Sequence, residues 1–242
     1  MPTDYIYLEE TSSTQTYLKS LDVNALPEFY CVRAGYQQQG RGRGTNRWKS
    51  LPNENLMMSV LLFPDTSPEK QFDISCMTAL ALVKTIQQNT DIQNIKIKWP
   101  NDIYIQDKKI AGILIEHTLS VHQIKHSIIG IGLNVNQKHF SETIPNPTSM
   151  FLETGQRYNV EQLCFDVIEH LKKWKRRDRQ TLLDKYNQLL YRKEKFCQYI
   201  IKRNNTSIAA KIVGIDNLGR LLLQDKAQNM MKFELNEISY II

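Results

Sequence analysis

The stretch IKIKWPNDIYIQDKKIAGILIE, residues 95–116, decides the fold. It contains three short apolar runs, Ile95 to Lys98, Ile103 to Ile105 and Ile110 to Glu116, each bounded by polar or turn-forming residues. Runs of this length and β-branched content read as strands. Pro100 forces a turn between the first two, and Gln106-Asp107-Lys108 joins the second to the third. Ile124 to Leu133 continues the series as a further strand. Upstream, the period changes: Phe72, Cys76, Ala79, Val83 and Ile86 recur at helical spacing, which predicts an amphipathic helix from Phe72 to Gln88 lying on a sheet. Leu56 to Phe63, Phe29 to Ala34 and Tyr5 to Leu8 read as earlier strands. The polar run Thr11 to Thr14 offers N-caps for a helix reaching about Leu18. The sum is an α+β architecture, a mixed β-sheet with helices on one face.

Downstream of Pro145 and Pro147, Val160 to about Tyr191 reads as helical and strongly charged on one side. From Lys195 the pattern is wholly β: Phe196 to Ile201, Ile208 to Ile215, Arg220 to Gln224 and Met230 to Leu235, with a turn at Asp216-Asn217-Leu218-Gly219. These short strands predict a small β-barrel. The expected division is a larger domain over 1–192 and a barrel over 193–242.

The 242 residues carry 31 Lys+Arg against 25 Asp+Glu, a formal charge of +6, with 41% hydrophobic and 23% charged residues. This is globular composition, and it excludes collagen-like, disordered and disulfide-scaffold classes. Cys31, Cys76, Cys164 and Cys197 are widely separated and mostly set in apolar sequence, as reduced, buried thiols are. No signal sequence is readable, and the longest apolar run, Leu56 to Phe63, is too short to span a bilayer, so the expectation is a cytoplasmic protein without membrane contact. The histidines show no metal-ligand spacing.

Four segments carry candidate chemistry. In Gly40-Arg41-Gly42-Arg43-Gly44, glycines alternate with arginines, so backbone N–H groups and guanidinium groups can converge on an anion. The same letters occur in flexible nucleic-acid-binding segments, but here strands flank the loop and Trp48 closes it. Lys98-Trp99-Pro100-Asn101-Asp102 brings a cation and a carboxylate to one strand end, where they suit a phosphate and its Mg²⁺ or form a plain solvated turn. Lys109-Ile110-Ala111-Gly112 opens a strand with a cation and then small residues, which leave room for a ligand or pack closely. Gly130-Ile131-Gly132-Leu133-Asn134-Val135-Asn136 ends a strand in small residues and amides, without the third glycine and following helix of a dinucleotide fingerprint. The basic run Lys172 to Arg177 reads as a solvated helix face.

These motifs occur in the order Glu10-x-x-Ser13-Thr14, Gln37-x-x-Gly40-Arg41-Gly42-Arg43, KWPND at 98–102, KIAGILIE at 109–116 and Gly130-x-Gly132-x-Asn134-Val135-Asn136. Thr148-Ser149, Glu153-Thr154-Gly155 and Gly214-Ile215-Asp216 to Leu223 follow. The succession covers nearly the whole chain and resembles the biotin protein ligases. The resemblance implies a class II aminoacyl-tRNA-synthetase-like catalytic domain followed by an SH3-like barrel. Its members activate biotin with ATP to biotinyl-5′-AMP, releasing pyrophosphate, and then biotinylate one lysine of a biotin carboxyl carrier protein. By this resemblance Ser13, Thr14, Gln15, Gln37, Gly40, Arg41, Lys109 and Gly112 contact biotin. Arg41, Gly42, Arg43, Trp48, Lys98, Asn101, Gly130, Gly132 and Asn134 contact ATP or the adenylate, with Asn134 at the adenine. Lys109, Arg43, Lys98 and Asp102 carry the chemistry, and Asp102 serves Mg²⁺.

Arg43 is followed by Gly44-Thr45-Asn46 where many bacterial relatives carry a further arginine, and Arg47 is a stand-in for it. With about a dozen residues ahead of Ser13, the expected form has no winged-helix module and no DNA partner, as a monomer or weak homodimer. A lipoate or octanoate transferase of the same fold and a non-enzymatic nucleic-acid-binding module are the alternatives.

Overall fold

Residues 95–116 form three consecutive antiparallel strands at one side of a seven-stranded sheet in a computed structural model that describes residues 4–241. The strands are β1 (Tyr5–Thr11), β2 (Cys31–Gln37), β3 (Leu56–Leu62), β4 (Ile95–Lys98), β5 (Asp102–Ile105), β6 (Lys108–Leu119) and β7 (Ile124–Leu133), in the order β1-β2-β3-β7-β6-β5-β4. β1 and β2 run parallel, and every other neighbouring pair is antiparallel.

The helices are α1 (Thr14–Ser20), α2 (Phe72–Asn89), α3 (Met150–Thr154), α4 (Val160–Lys175) and α5 (Arg179–Gln188). The three long helices, α2, α4 and α5, build the main core on one face, against Met58, Val60, Ile103, Ile113 and Ile131. Helix α1 lies on the opposite face, where Leu18 packs with Val32, Leu61 and Ile128. Because side chains alternate along a strand, Met58 and Leu61 serve different faces of β3. The α1 face is covered only in part, and the candidate site occupies the rest.

The helical stretch expected over 160–191 is divided between α4 and α5. α4 ends with Lys172, Lys173 and Lys175 in its last turn, where cations complement the exposed carbonyls. Asp178 then restarts the chain as an N-cap, accepting a hydrogen bond from the Thr181 N–H at 2.8 Å.

The C-terminal sheet comprises β8 (Phe196–Ile201), β9 (Thr206–Ile215), β10 (Leu221–Asp225), β11 (Met230–Phe233) and β12 (Ile238–Tyr240), ordered β11-β10-β9-β8-β12 and wholly antiparallel, the SH3-like unit. β12 has no counterpart in the sequence reading, being only three residues long. The β9–β10 turn holds Gly219 at φ 82°, while the Asp216 carboxylate accepts from the N–H groups of Leu218 and Arg220. Tyr199, Ile212, Leu221 and Phe233 join the same hydrophobic cluster as the large sheet. Polar links reinforce that junction: Trp99 donates its indole N–H to the Gly219 carbonyl at 2.9 Å, and Ile97 exchanges backbone hydrogen bonds with Leu189 and Tyr191.

Candidate active site

Strand register lines up the motifs. Lys98 pairs with Asp102, Asp102 with Gly112, and Gly112 with Gly132, one transverse row across β4, β5, β6 and β7. In the next row on that face, Gly130 pairs with Ser59 of β3. Glycines therefore floor the middle of the face, with hydrogen-bonding groups at its central end and charges towards the sheet edge. The space above is a cavity of about 710 Å³.

Lys109 reaches this face because β6 is bulged. Asp102 and Ile103 pair with Gly112 and Ala111, but Tyr104 pairs with Lys109, so Ile110 is skipped. Strict alternation would put Lys109 on the face opposite Gly112. The extra residue re-aims it, and its ammonium sits 2.6 Å from a carboxylate oxygen of Asp102. Ile110 and Ala111 both remain in the core.

At the central end the polar groups are neutral and buried. The Thr14 N–H and hydroxyl both donate to Gln37 Oε1, at 2.8 and 3.1 Å. The Thr14 and Ser59 hydroxyl oxygens stand 2.8 Å apart, the Ser59 hydroxyl also lies 3.1 Å from Gln15 Oε1, so its one proton serves one of these two acceptors, and Gln15 Nε2 donates to the Ile128 carbonyl at 3.0 Å. Ser13, Thr14, Gln15 and Ser59 are all buried. A Cβ on Gly130 would stand 2.6 Å from Gln15 Oε1, so no other residue fits there without displacing the amide.

Towards the edge, cations crowd one carboxylate. Burial lowers the pKa of Lys98, Asp102 opposes the shift, and Lys109 and Arg192 add to it. Burial likewise lowers that of Arg43, against the pull of Asp102. Arg43 donates to Asn101 Oδ1 at 3.3 Å and to Asn236 Oδ1 at 2.8 Å. Asn101 itself is anchored to the Ile113 carbonyl through its Nδ2 at 2.8 Å.

The Gly-Arg loop closes over the face. Its ends are held by the Arg41–Arg47 bridge and by the Trp48 N–H donating to the Gly40 carbonyl. Arg41 makes a two-point contact with Glu116, at 3.1 and 3.2 Å, and Lys19 reaches the same carboxylate at 2.8 Å. Burial raises the Glu116 pKa, but hydrogen bonds from Lys19 and Gln15 and the Lys19 and Arg41 charges outweigh it, so the group stays below the ordinary carboxylate range. Trp48 lies on the glycine floor: a Cβ at Gly132 would collide with its indole, and one at Gly112 would stand 3.2 Å from it. The indole N–H has no hydrogen-bond partner among the described residues.

Ser13, Thr14, Gln15, Gln37, Arg41, Gly42, Arg43, Trp48, Lys98, Asn101, Asp102, Lys109, Gly112, Gly130 and Gly132 all line the cavity, as does Arg47. Gly40 lines a smaller adjoining cavity of about 290 Å³ beside Ser12, Thr16 and Gln39. Asn134 departs from the group. It is buried behind the lining, with its Nδ2 donating to the Thr148 carbonyl at 2.8 Å. Ser59, Lys202, Asn236 and Tyr240 line the cavity without having been singled out from sequence. Ser59 had a readable signal, a lone hydroxyl within the apolar run LMMSVLL; the other three are ordinary residues of a distant segment.

Among the described residues lining the cavity Asp102 is the one carboxylate, and no group of three or more His, Cys, Asp or Glu is arranged around a metal. Such a site suits Mg²⁺ carried by a nucleotide's phosphates, since that ion keeps its waters and takes one or two protein carboxylates. No described helix is long and apolar enough to cross a membrane.

Comparison with known proteins places this geometry. Residues 7–134 match the model of the biotin/lipoate A/B protein ligase family. The chain belongs to that family. It is 33% identical over 230 residues to the bifunctional ligase/repressor BirA of Bacillus spizizenii, covering 90% of this chain and 69% of that one. It is 29% identical over 208 residues to the biotin--[acetyl-CoA-carboxylase] ligase of Paracoccus denitrificans, covering 81% and 84%. Among solved structures, the biotin protein ligase of Aquifex aeolicus in complex with biotin and ATP superimposes with a TM-score of 0.81 at 27% identity, over 98% of both chains.

Proposed function

We infer that the chain is a biotin protein ligase: it couples biotin to ATP as biotinyl-5′-AMP with release of pyrophosphate, then transfers the biotinyl group to a lysine of a carboxyl carrier protein. The observation that carries the reading is one cavity holding two chemistries, a neutral hydrogen-bonding end and a cationic end, on a single face of the sheet. Biotin presents a neutral ureido head and an anionic tail; ATP brings further anions.

Ser13, Thr14, Gln15, Gln37 and Ser59 supply donors and acceptors for the ureido head, and all but the half-buried Gln37 are already desolvated by the fold. The carboxylate of biotin must attack the α-phosphate of ATP, and the two anions repel. Lys109 and Arg43 neutralise that approach, and their charge acts most strongly where charge accumulates in the transition state. Lys98 serves the departing phosphates, and Asp102 is the carboxylate that would hold Mg²⁺ brought with ATP, which would offset phosphate charge there. Trp48 offers a flat face over the glycine floor for a ring of the adenylate.

In the second half-reaction the neutral carrier amine attacks the anhydride carbonyl and gives up a proton to the medium as the amide forms, and AMP leaves with the bonding pair of the broken C–O bond. Lys109 is placed to assist here too, since negative charge moves to the carbonyl oxygen. An acyl chain without polar head groups, as in lipoate or octanoate transfer, gains nothing from the Thr14–Gln37–Ser59 network.

Incubating the protein with ATP and biotin alone tests the reading. Bound biotinyl-AMP and free pyrophosphate are expected, with octanoate and lipoate inactive in place of biotin. No pyrophosphate release with biotin, or release with octanoate instead, overturns it.

A further inference from the structure

The C-terminal sheet reaches into the cavity at a chemically specific place. Lys98 ends β4, and its ammonium lies 4.8 Å from the ring centroid of Tyr104 on β5 and 5.1 Å from that of Tyr240 on β12. It also donates to the Tyr104 hydroxyl at 3.1 Å. The Tyr104 contact is local, across a hairpin. The Tyr240 contact is not: it joins the large sheet to the last strand of the chain.

Tyr240 is itself fixed from behind. Its ring packs on Tyr199 at 5.4 Å, close to perpendicular, and on Tyr191 at 6.1 Å, and Tyr191 packs in turn on Tyr104 at 5.3 Å. Tyr191 also donates to Asp107. Four tyrosines from β5, the α5–β8 connection, β8 and β12 thus form a continuous wall. The Tyr240 hydroxyl is buried with no partner among the described residues. Its polar tip therefore makes no contact that explains a tyrosine here, whereas its ring faces a cation.

An ammonium with no salt bridge of its own needs a fixed neighbour if it is to stay aimed. Within 4.0 Å, Lys98 makes no ion pair among the described residues; the nearby carboxylate Asp102 is paired to Lys109. Its long stem is rotamer-rich, and leaving it free would cost order when a phosphate binds. Aromatic faces attract the cation through the ring quadrupole without neutralising it, so the charge remains available to a ligand. A carboxylate in the same place would compete with that ligand.

We propose that Tyr240 is a positioning residue for Lys98: its ring on one side and the Tyr104 hydroxyl on the other hold the ammonium and present it to the phosphates of ATP. This rests on the ligase reading above and adds to it a reason for the C-terminal sheet to abut the catalytic cavity.

The test uses the full chain and biotin-dependent exchange of pyrophosphate into ATP, with KM for ATP and for biotin measured separately. Wild-type exchange must be seen first; its absence overturns the ligase reading and this inference with it. Tyr240→Phe keeps the ring and loses only the unpartnered hydroxyl, so it should stay within about twofold of wild type. Tyr240→Leu should lower kcat/KM for ATP by about tenfold or more, a tenfold loss corresponding to about 1.4 kcal/mol, with KM for biotin within about twofold. In a Lys98→Met background, Tyr240→Leu should add no further loss. A Tyr240→Leu enzyme indistinguishable from wild type overturns the proposal, as does an equal loss with Lys98 absent, since the residue would then act on stability alone. Should the leucine variant not fold, Tyr240→Met keeps side-chain bulk without a π face, and the same comparisons and the same outcomes apply to it.

Discussion

The two ends of the cavity are built from opposite materials. Over β3 and β7, Thr14, Gln15, Gln37 and Ser59 form one connected neutral hydrogen-bond network. Over β5 and β4, Lys98, Lys109, Arg43 and Asp102 are partly exposed and electrostatically unbalanced, three cations to one carboxylate. Neutral donors and acceptors can be buried cheaply provided each finds a partner, whereas an excess of buried charge is costly until a counter-charge arrives. The central end is therefore prepared for its ligand before binding, and the edge end is completed by it. Substitutions at the first should act on recognition of biotin, and substitutions at the second on chemistry and on retention of the intermediate.

The most severe break should come from Lys109→Gln, which keeps length and polarity but removes the charge. Pyrophosphate release and transfer from preformed biotinyl-AMP should both fall by at least about 10²; near-wild-type rates in both, measured separately, would assign the chemistry to Lys98 instead. Next, Arg43→Ala removes a charge-assisted contact of roughly 1.5–3 kcal/mol. Radiolabelled biotinyl-AMP should then dissociate faster by about one to two orders of magnitude, and surface lysines of bystander proteins should become labelled. An unchanged dissociation rate would remove Arg43 from the adenylate site.

At the central end, Ser59→Ala leaves the Thr14 hydroxyl or Gln15 Oε1 short of a partner, at a cost of about 1–3 kcal/mol. KM for biotin should rise about tenfold while KM for ATP holds; movement of both would mean that the two ends are not separable. The smallest effect concerns pH. Because burial lowers the Lys98 pKa, its ammonium is lost at a lower pH than that of a free lysine, so exchange of pyrophosphate into ATP should decline early on the alkaline side. Lys98→Arg stays protonated throughout and should move that decline upward. A profile identical to wild type would show that another group sets it.

What could be read from sequence and what could not divide along physical lines. Apolar alternation and helical spacing mark out most strands and α2, because burial on one face imposes the pattern directly. The glycines of 112, 130 and 132 are readable as room for something, though not for what: Trp48 and Gln15 fill part of it. The bulge at Ile110 is invisible in the letters Lys-Ile-Ala-Gly, and without it the strand period sends Lys109 to the wrong face. Asn134 is an amide at a strand end, and such a group looks the same whether it meets a ligand or, as here, a backbone carbonyl. Asn236 and Tyr240 are more than 130 residues from the KWPND motif. Only tertiary packing brings them to Arg43 and Lys98, and the three-residue strand that carries Tyr240 is too short to produce a pattern.

The shared hydrophobic cluster between the two sheets bears on how the protein comes apart. Ile212, Leu221 and Phe233 are buried in the same apolar mass as Ile97, Trp99 and Phe72, and the segment from Leu189 to Tyr191 is hydrogen-bonded to the edge strand β4 before it enters the C-terminal sheet. Two bodies that share one interior cannot melt independently, because opening either exposes the apolar surface of both to water. The chain should denature in a single cooperative transition, with fluorescence from Trp99 at the junction, read in a Trp48→Phe, Trp174→Phe variant, and far-ultraviolet dichroism of the whole molecule reporting the same midpoint.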